Sequence, residues 1–295
     1  MKAFDGRVAA ITGAGSGMGR ELALELARRG CHLALADRDA EGLDETVRRA
    51  QAIAPALRVT HQVLDVAERD AVFAWAAASA ERHGRINLVF NNAGVAFSST
   101  VEGMQPADLA WIVDINFWGV VHGTQAFLPY LKKSGEGHIV NTSSLFGLLA
   151  QPGMGAYNAT KFAVRGFTEA LRQELDLMGC GVSATCVHPG GVKTGIARAS
   201  RVDKSLIGLL IDDEQQARED FEKLFMTDAA RAARLILEGV RKNRRRVLVG
   251  ADARLLDLIG RLLPAGYQAL VVWYARRMRR VAARQMRAPQ DQRPT

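Results

Sequence analysis

The sequence predicts an α/β fold: one doubly wound parallel sheet with helices on both faces, followed by a helical, basic C-terminal extension. Three observations carry this reading. Short apolar runs alternate with longer helical patterns six times, as a parallel sheet buried on both faces requires. A glycine-rich turn follows the first apolar run directly. The 295 residues are 48% apolar and 24% charged, enough for a large core and unlike a disordered chain.

The elements follow in order. Val8–Ile11 is the first strand, Thr12–Gly19 the turn, and Leu22, Ala23, Leu26 and Ala27 mark one face of a helix that stops at Gly30. His32–Ala36 is the second strand and ends at Asp37. A helix over about 39–52 precedes a third strand, Arg58–Val63, and Asp65. A helix closing at Gly84 leads to a fourth strand, Ile86–Phe90, and to Asn91-Asn92-Ala93-Gly94. One long helix is expected over about 106–131, then the strand Gly137–Asn141, a loop, a helix over about 156–178 and the strand Val182–Val187. Beyond Thr194 the pattern loosens over 195–226, a stretch rich in Leu, Ile and Phe that holds Leu206, Leu209, Leu210, Phe221, Leu224 and Phe225. Thr227-Asp228 suits a helix start. Arg246–Gly250 reads as a last strand. Residues 1–250 thus form the α/β domain, expected from the glycine-rich turn after its first strand to be the dinucleotide-binding one, and 251–295 the extension.

Cys31, Cys180 and Cys186 form neither a CxxC motif nor a cluster with histidine, so no metal site and no disulfide framework are expected, and reduced thiols point to the cytoplasm. The net charge of +8 is uneven. Residues 241–295 hold 14 Lys/Arg against 3 Asp/Glu, while the rest is slightly acidic. The basicity belongs to a tail, and no aromatic platform accompanies it, so no nucleic acid is expected.

Two motifs carry chemistry. In Thr12-Gly13-Ala14-Gly15-Ser16-Gly17-Met18-Gly19, the glycines allow a tight turn and close approach to a pyrophosphate at a helix N-terminus. Met18 occupies the last glycine position of the usual GxGxxG. In Tyr157-Asn158-Ala159-Thr160-Lys161, the i,i+4 spacing puts ammonium and phenol on one helical face. Bringing a tyrosine from near 10 to about 7 needs roughly 4 kcal/mol of differential stabilisation, which a nearby cation supplies.

With Asp65, Asn92-Ala93-Gly94, Asn116, Ser144 placed 13 residues before Tyr157, and Pro189-Gly190-x-Val192-x-Thr194, the chain over about 5–250 resembles a short-chain dehydrogenase/reductase. The resemblance implies a Rossmann-type domain and an NAD(P)-dependent oxidoreductase interconverting a secondary alcohol and a ketone or aldehyde. It implies that Tyr157 is the general acid or base, that Lys161 lowers its pKa and binds the nicotinamide ribose, and that Ser144 holds the substrate oxygen, with Ser143 as its alternative. Asn116 is implied to place a water in a proton relay. Gly13, Ser16, Gly17, Met18, Gly19, Asp37, Arg38, Asp65, Val66, Asn92, Ala93, Gly94, Tyr157, Lys161, Pro189, Gly190, Val192 and Thr194 are implied cofactor contacts. Asp37 at the end of the second strand favours NAD(H), since a carboxylate accepts from a ribose 2′-OH; Arg38 beside it leaves NADP(H) as the alternative.

The resemblance implies that 195–226 is the substrate lid, and its apolar residues, with Phe97, Leu145, Phe146 and Met154, point to a small apolar alcohol or carbonyl substrate. A catalytically idle cofactor-binding regulator or scaffold of the same fold is the rival, and the intact Asn116, Ser144, Tyr157 and Lys161 set argues against it. His188 reads as structural or at the rim; His122 and His138 read as surface residues, and Asp114 as solvated. Phe117, Trp118 and Val121 read as core or subunit contact. The family's paired long helices predict a homodimer or homotetramer. In the extension, Leu255, Leu256, Leu258, Ile259, Leu262 and Leu263 recur at helical spacing. Pro264-Ala265-Gly266 then breaks the run before an apolar stretch with Trp273 and Tyr274 and the arginines 276, 277, 279, 280, 284 and 287. Two compatible readings stand: a peripheral membrane contact through 255–287, or packing of these helices on the enzyme.

Overall fold

The computed structural model describes residues 3–215, 219 and 225–287. Seven parallel strands form the sheet: β1 (Val8–Thr12), β2 (His32–Asp37), β3 (Val59–Val63), β4 (Leu88–Asn91), β6 (Gly137–Thr142), β7 (Val182–Pro189) and β11 (Arg246–Val249). Their spatial order is β11-β7-β6-β4-β1-β2-β3. The chain winds outward from β1 through β2 to β3, then restarts at β4 on the other side of β1 and winds the opposite way. That reversal opens a crevice beyond the carboxyl ends of β1 and β4, where open α/β sheets bind ligands.

Side chains alternate across a strand, and this alternation builds two cores. Ala9 and Ile11 of β1, Leu33 and Leu35 of β2 and Phe90 of β4 face α1 (Gly17–Ala27), α2 (Ala40–Ile53) and α7 (Ala229–Arg241), meeting Leu22, Leu43 and Ile236. Ala10, Ala34, Val89 and Ile139 face α3 (Arg69–His83), α5 (Gly119–Lys133) and α6 (Gly155–Met178), meeting Trp75, Phe127 and Leu175. Continuous apolar strands are therefore read correctly as doubly covered.

The helix expected over 106–131 is three pieces: α4 (Pro106–Val113), a π-helical turn (Asp114–Trp118) and α5. Single π-turns inside helices often mark functional sites, and this one holds Asn116. Two-residue pairings fasten the loops. β5 (Phe97–Ser98) pairs with β9 (Arg201–Val202), and β8 (Val192–Lys193) with β10 (Thr227–Asp228). Asp228 precedes α7 without capping it through its side chain. Of the presumed lid, Leu206 and Phe225 are buried and Leu209 is exposed; Phe221 and Leu224 lie outside the described residues.

Two histidines differ from expectation. His122 and His138 are buried, not on the surface: His122 Nδ1 pairs with the Val66 carbonyl at 3.2 Å and His138 Nε2 with Thr185 Oγ1 at 2.7 Å. Period alone does not reveal that an amphipathic imidazole has a partner waiting inside. Asp114 is exposed, Val121 is buried and Trp118 is largely exposed.

The extension forms α8 (Ala251–Leu262) and α9 (Tyr267–Arg287). Leu256, Ile259, Tyr267 and Val271 pack on Leu145, Phe146 and Leu149, and the Tyr267 hydroxyl accepts a hydrogen bond from the Ala150 amide at 3.0 Å. The enzyme-packing reading of the tail is thus a feature of the fold. No helix among the described residues is long and apolar enough to cross a membrane.

Candidate active site

The glycine turn is built by close approach. Gly13 and Gly17 have φ of +66° and +49°, and a Cβ on Gly13 would stand 2.8 Å from the Ala93 Cα. Thr12 Oγ1 accepts from the Asn92 and Ala93 amides at 3.0 and 3.2 Å, joining the ends of β1 and β4. Ser16 caps α1 in extended conformation but makes no side-chain cap bond, and the first turn carries no acidic residue. The amides at this helix N-terminus therefore remain available to an anion.

A cavity of about 490 Å³ opens over this turn, lined among others by Gly13, Asp37, Asp65, Asn92, Gly94 and Thr194. Ser16, Gly17, Met18, Arg38, Val66 and Ala93 also line it. Asp37 accepts from the Gly15 amide at 2.7 Å, and Asp65 from the Ala67 amide at 2.9 Å, so both carboxylates are held in place. Gly19 lies beneath the turn against Gly13 and Asn92. Like Gly19, Tyr157 and Lys161, the expected contacts Pro189, Gly190 and Val192 stand off the lining. Pro189 ends β7, the Gly190 amide bonds the Val249 carbonyl at 2.9 Å, and Val192 is buried in the β8–β10 pairing.

Behind the inner wall sit Asn116, Ser144, Tyr157 and Lys161, the four polar residues expected to carry the chemistry. Lys161 is 3% exposed, and its Nζ donates to the Thr142 carbonyl at 3.2 Å, the one acceptor given to it by the described residues. A Cβ on Gly94 would stand 3.4 Å from Lys161 Nζ and 3.1 Å from Asn116 Oδ1, so the cavity wall is one glycine thick at this point. Lys161 Nζ lies 5.6 Å from the centre of the Tyr157 ring. Burial lowers the Lys161 ammonium from 10.5 to about 8. Burial raises the Tyr157 phenol, and a hydrogen bond with Ser144 opposes that rise. Ser143 is turned away from this group, since its hydroxyl donates to the Lys161 carbonyl at 2.7 Å. Ser144 Oγ accepts the Phe146 amide at 3.1 Å, and the Ser144 carbonyl meets His188 Nδ1 at 2.9 Å.

Asn116 is fully buried, and its amide is committed at both ends. Oδ1 accepts from Val95 N at 2.8 Å; Nδ2 donates to the Val95 carbonyl at 2.9 Å and to Thr160 Oγ1 at 3.3 Å. Phe146, partly buried, stands at 6.4 Å edge-to-face from Tyr157 and also touches the extension's cluster. Leu145 faces the extension and not the phenol; Phe97 and Met154 pack in the cluster with Tyr157.

The fit to a dinucleotide rests on these atoms. A buried ammonium carries three donors and has one protein acceptor, and it lies behind a glycine that leaves room for a partner. The cradle, the uncapped helix end and the carboxylate closing β2 suit a phosphorylated ribose pair.

Some supporting residues escaped the sequence reading. Thr46, buried, donates from Oγ1 to the Ala14 carbonyl at 2.8 Å, and Arg20 holds the Gly15 and Gly42 carbonyls. Asn91 Nδ2 donates to Asn141 Oδ1 at 2.8 Å and to Thr124 Oγ1 at 3.1 Å. Apart from the Arg20–Gly15 contact, these join residues 22 to 50 positions apart, and no local pattern announces them.

Comparison with known proteins now decides the family. The short chain dehydrogenase family model matches residues 7–205. The chain belongs to the short-chain dehydrogenase/reductase family of oxidoreductases. It is 49% identical over 272 residues to SadH of Mycobacterium tuberculosis, provisionally named an oxidoreductase, covering 92% of this chain and 96% of that protein. It is 34% identical to levodione reductase of Leifsonia aquatica, over 74% of this chain and 79% of that one. A crystal structure of a family member from Burkholderia phymatum in complex with NAD superposes with a TM-score of 0.78 at 33% identity, covering all of both chains.

Proposed function

We propose that this short-chain dehydrogenase/reductase interconverts a secondary alcohol and its ketone or aldehyde with NAD(H), acting on an apolar substrate. The observation that carries the reading is the group behind Gly94: a buried phenol bonded to Ser144, with a buried, under-partnered ammonium one helical turn away. In carbonyl reduction, Tyr157 donates its hydroxyl proton to the substrate oxygen, while Ser144 Oγ donates a hydrogen bond to the same oxygen. In alcohol oxidation, the Tyr157 phenolate takes that proton back. Lys161 stabilises the phenolate and offers its two remaining donors to ribose hydroxyls. A nicotinamide held by these residues would supply or accept the hydride, and in its oxidised form its positive charge would favour the phenolate. Asn116 acts as a positioning residue, clamping Val95 of the cavity wall to Thr160 of α6. Phe97, Phe146, Met154 and Ile196 give the substrate side an apolar wall.

Asp37 favours NAD over NADP, and the NAD held by the Burkholderia relative is in keeping with this. A second copy would cover Trp118 and Phe162, which stand exposed on the π-turn and α6, giving a homodimer or homotetramer. The extension would bring the enzyme reversibly to an anionic membrane surface, where apolar substrates collect.

Replacement of Tyr157 by Phe tests the chemistry. The proton donor goes while ring and cradle stay, so turnover of an apolar ketone falls about 10²–10⁴-fold, with NADH affinity, read by fluorescence titration, near that of the parent. Near-normal turnover in that variant overturns the mechanism.

A further inference from the structure

Between the edge strand β11 and helix α8 lies a second cavity, of about 510 Å³, far in character from the first. Its charged walls are Arg244, Arg246, Arg254, Arg261 and Asp257. Asp257 is nearly buried and holds two of the four guanidiniums: Arg246 Nη1 at 3.2 Å and Arg261 Nε at 3.0 Å. Arg244 and Arg254 have no carboxylate partner among the described residues. The cavity therefore carries four positive groups against one negative, with the central pair fixed by a desolvated carboxylate. Fixed, forked guanidiniums suit the oxygens of a phosphate monoester or diester.

The surroundings decide which phosphate. Arg254, Leu258 and Arg261 lie at i, i+4 and i+7 on one face of α8. Leu258 lines the cavity, and beside it Leu255 and Leu262 are 59% and 70% exposed. From α9, Leu270, Val272, Trp273 and Tyr274 are also exposed. Arg277 lies 5.5 Å over the Trp273 ring. The opposite face of the same helices, through Leu256, Ile259 and Val271, backs Phe146 beside the phenol. An apolar ridge with an arginine cavity at its root is the surface that a phospholipid would meet, acyl chains on leucine and head group on arginine. A second copy docking isologously on this ridge would bring two uncompensated arginine pairs together.

Resting on the proposed membrane contact, and independent of the hydride chemistry, we infer that this cavity binds the phosphate of an anionic phospholipid and docks the α8–α9 ridge on the bilayer. Arg244 and Arg254 supply the free charge; Leu255, Leu258 and Leu262 enter the interface. The side chains of Arg279, Arg280, Arg284 and Arg287 lie outside the described residues.

The test uses the full chain, because removal of α8 and α9 would also uncover Leu145 and Leu149. Co-sedimentation with phosphatidylcholine vesicles, with and without phosphatidylglycerol, is read for the parent and for the double variant Arg244→Gln/Arg254→Gln. Gln keeps most of the stem and removes the charge. The parent binds the anionic vesicles and is released by added salt, and the double variant binds them about 25-fold more weakly, at roughly fivefold per basic residue. Leu255→Ser/Leu262→Ser weakens binding to the same vesicles with the charge intact. Turnover of a soluble ketone stays within about twofold in both double variants, since neither pair of sites touches the catalytic group. Absence of turnover in every form would count against the hydride chemistry and leave the vesicle result standing. Equal vesicle binding by parent and arginine variant overturns the inference. So does stabilisation by inorganic phosphate without vesicle binding, which would assign the cavity to a free anion. A concentration-dependent dimer abolished by the leucine variant, again without vesicle binding, would assign the ridge to a second copy and equally overturn it.

Discussion

Asp37 and Arg38 set one contest between neighbouring side chains. Asp37 closes β2 with its carboxylate tied to the Gly15 amide at 2.7 Å, so it cannot swing away from the cavity without loosening the glycine turn. Arg38 lines the same cavity. A fixed carboxylate accepts from a ribose 2′-OH and repels a 2′-phosphate. The expected outcome is a kcat/KM higher with NADH than with NADPH. In Asp37→Ser the ratio moves toward NADPH, because the repulsion goes while Arg38 stays. Steady-state kinetics with both cofactors checks this, and a parent that prefers NADPH would show that Arg38 governs. Asp37 itself was legible from its place at the end of the second apolar run, since a strand's carboxyl end is a fixed address in this fold. The tie to Gly15 was not, because it joins residues 22 positions apart.

At the scale of elements, the extension is joined to the loop that follows Ser144 through one ring. Tyr267 is buried at the start of α9, its hydroxyl accepting from the Ala150 amide, with Leu145 and Leu149 around it. Ser144 is the residue before that loop's 3₁₀ turn, Leu145–Gly147. Tyr267→Phe leaves the packing and strands one amide donor, which costs about 1–3 kcal/mol. Thermal denaturation should show a lower Tm, and the freed loop should raise KM for ketone more than it lowers kcat. An unchanged Tm would mean that the loop finds water in place of the phenol. The helical spacing of leucines over 255–263 made α8 legible. Which leucines face the body was not, because both faces of that helix are apolar and only the position of the 145–149 loop distinguishes them. The long helix over 106–131 was likewise legible as helix. Its π-turn was not, since it comes from the buried clamp between Asn116, Val95 and Thr160.

For the whole molecule, acid stability follows from histidines enclosed by both cores and the sheet. Burial lowers His138 to about 3, and His83 and His188 to about 4, from an ordinary 6.5. Between pH 6.5 and about 4 the unfolded chain binds protons that the folded chain refuses, so stability rises with pH across that window and is lost on acidification. Tm should fall steadily from pH 7 to pH 4. His138→Gln, which retains a donor toward Thr185, should flatten the slope. A parent Tm constant across that range would count against neutral, enclosed imidazoles. Lys161 works in the opposite range. Its folded value of about 8 lies below the ordinary 10.5, so its burial stops opposing folding as pH rises from 8 toward 10.5.

The sequence by itself determined the doubly wound sheet, the glycine turn and the order of Asn116, Ser144, Tyr157 and Lys161 along the chain. Strand and helix periods, and glycines at tight turns, are local consequences of backbone geometry and need no distant partner to be read. Tertiary structure alone decided the rest. It turned Ser143 away toward the Lys161 carbonyl and Ser144 toward the phenol. It enclosed His122 and His138, committed the Asn116 amide to Val95 and Thr160, and laid the basic tail across the loop behind Phe146. Each of these is a match between groups tens of residues apart. Burial, and with it the energy of a hydrogen bond or the pKa of a lysine, exists only once the sheet has brought both partners together.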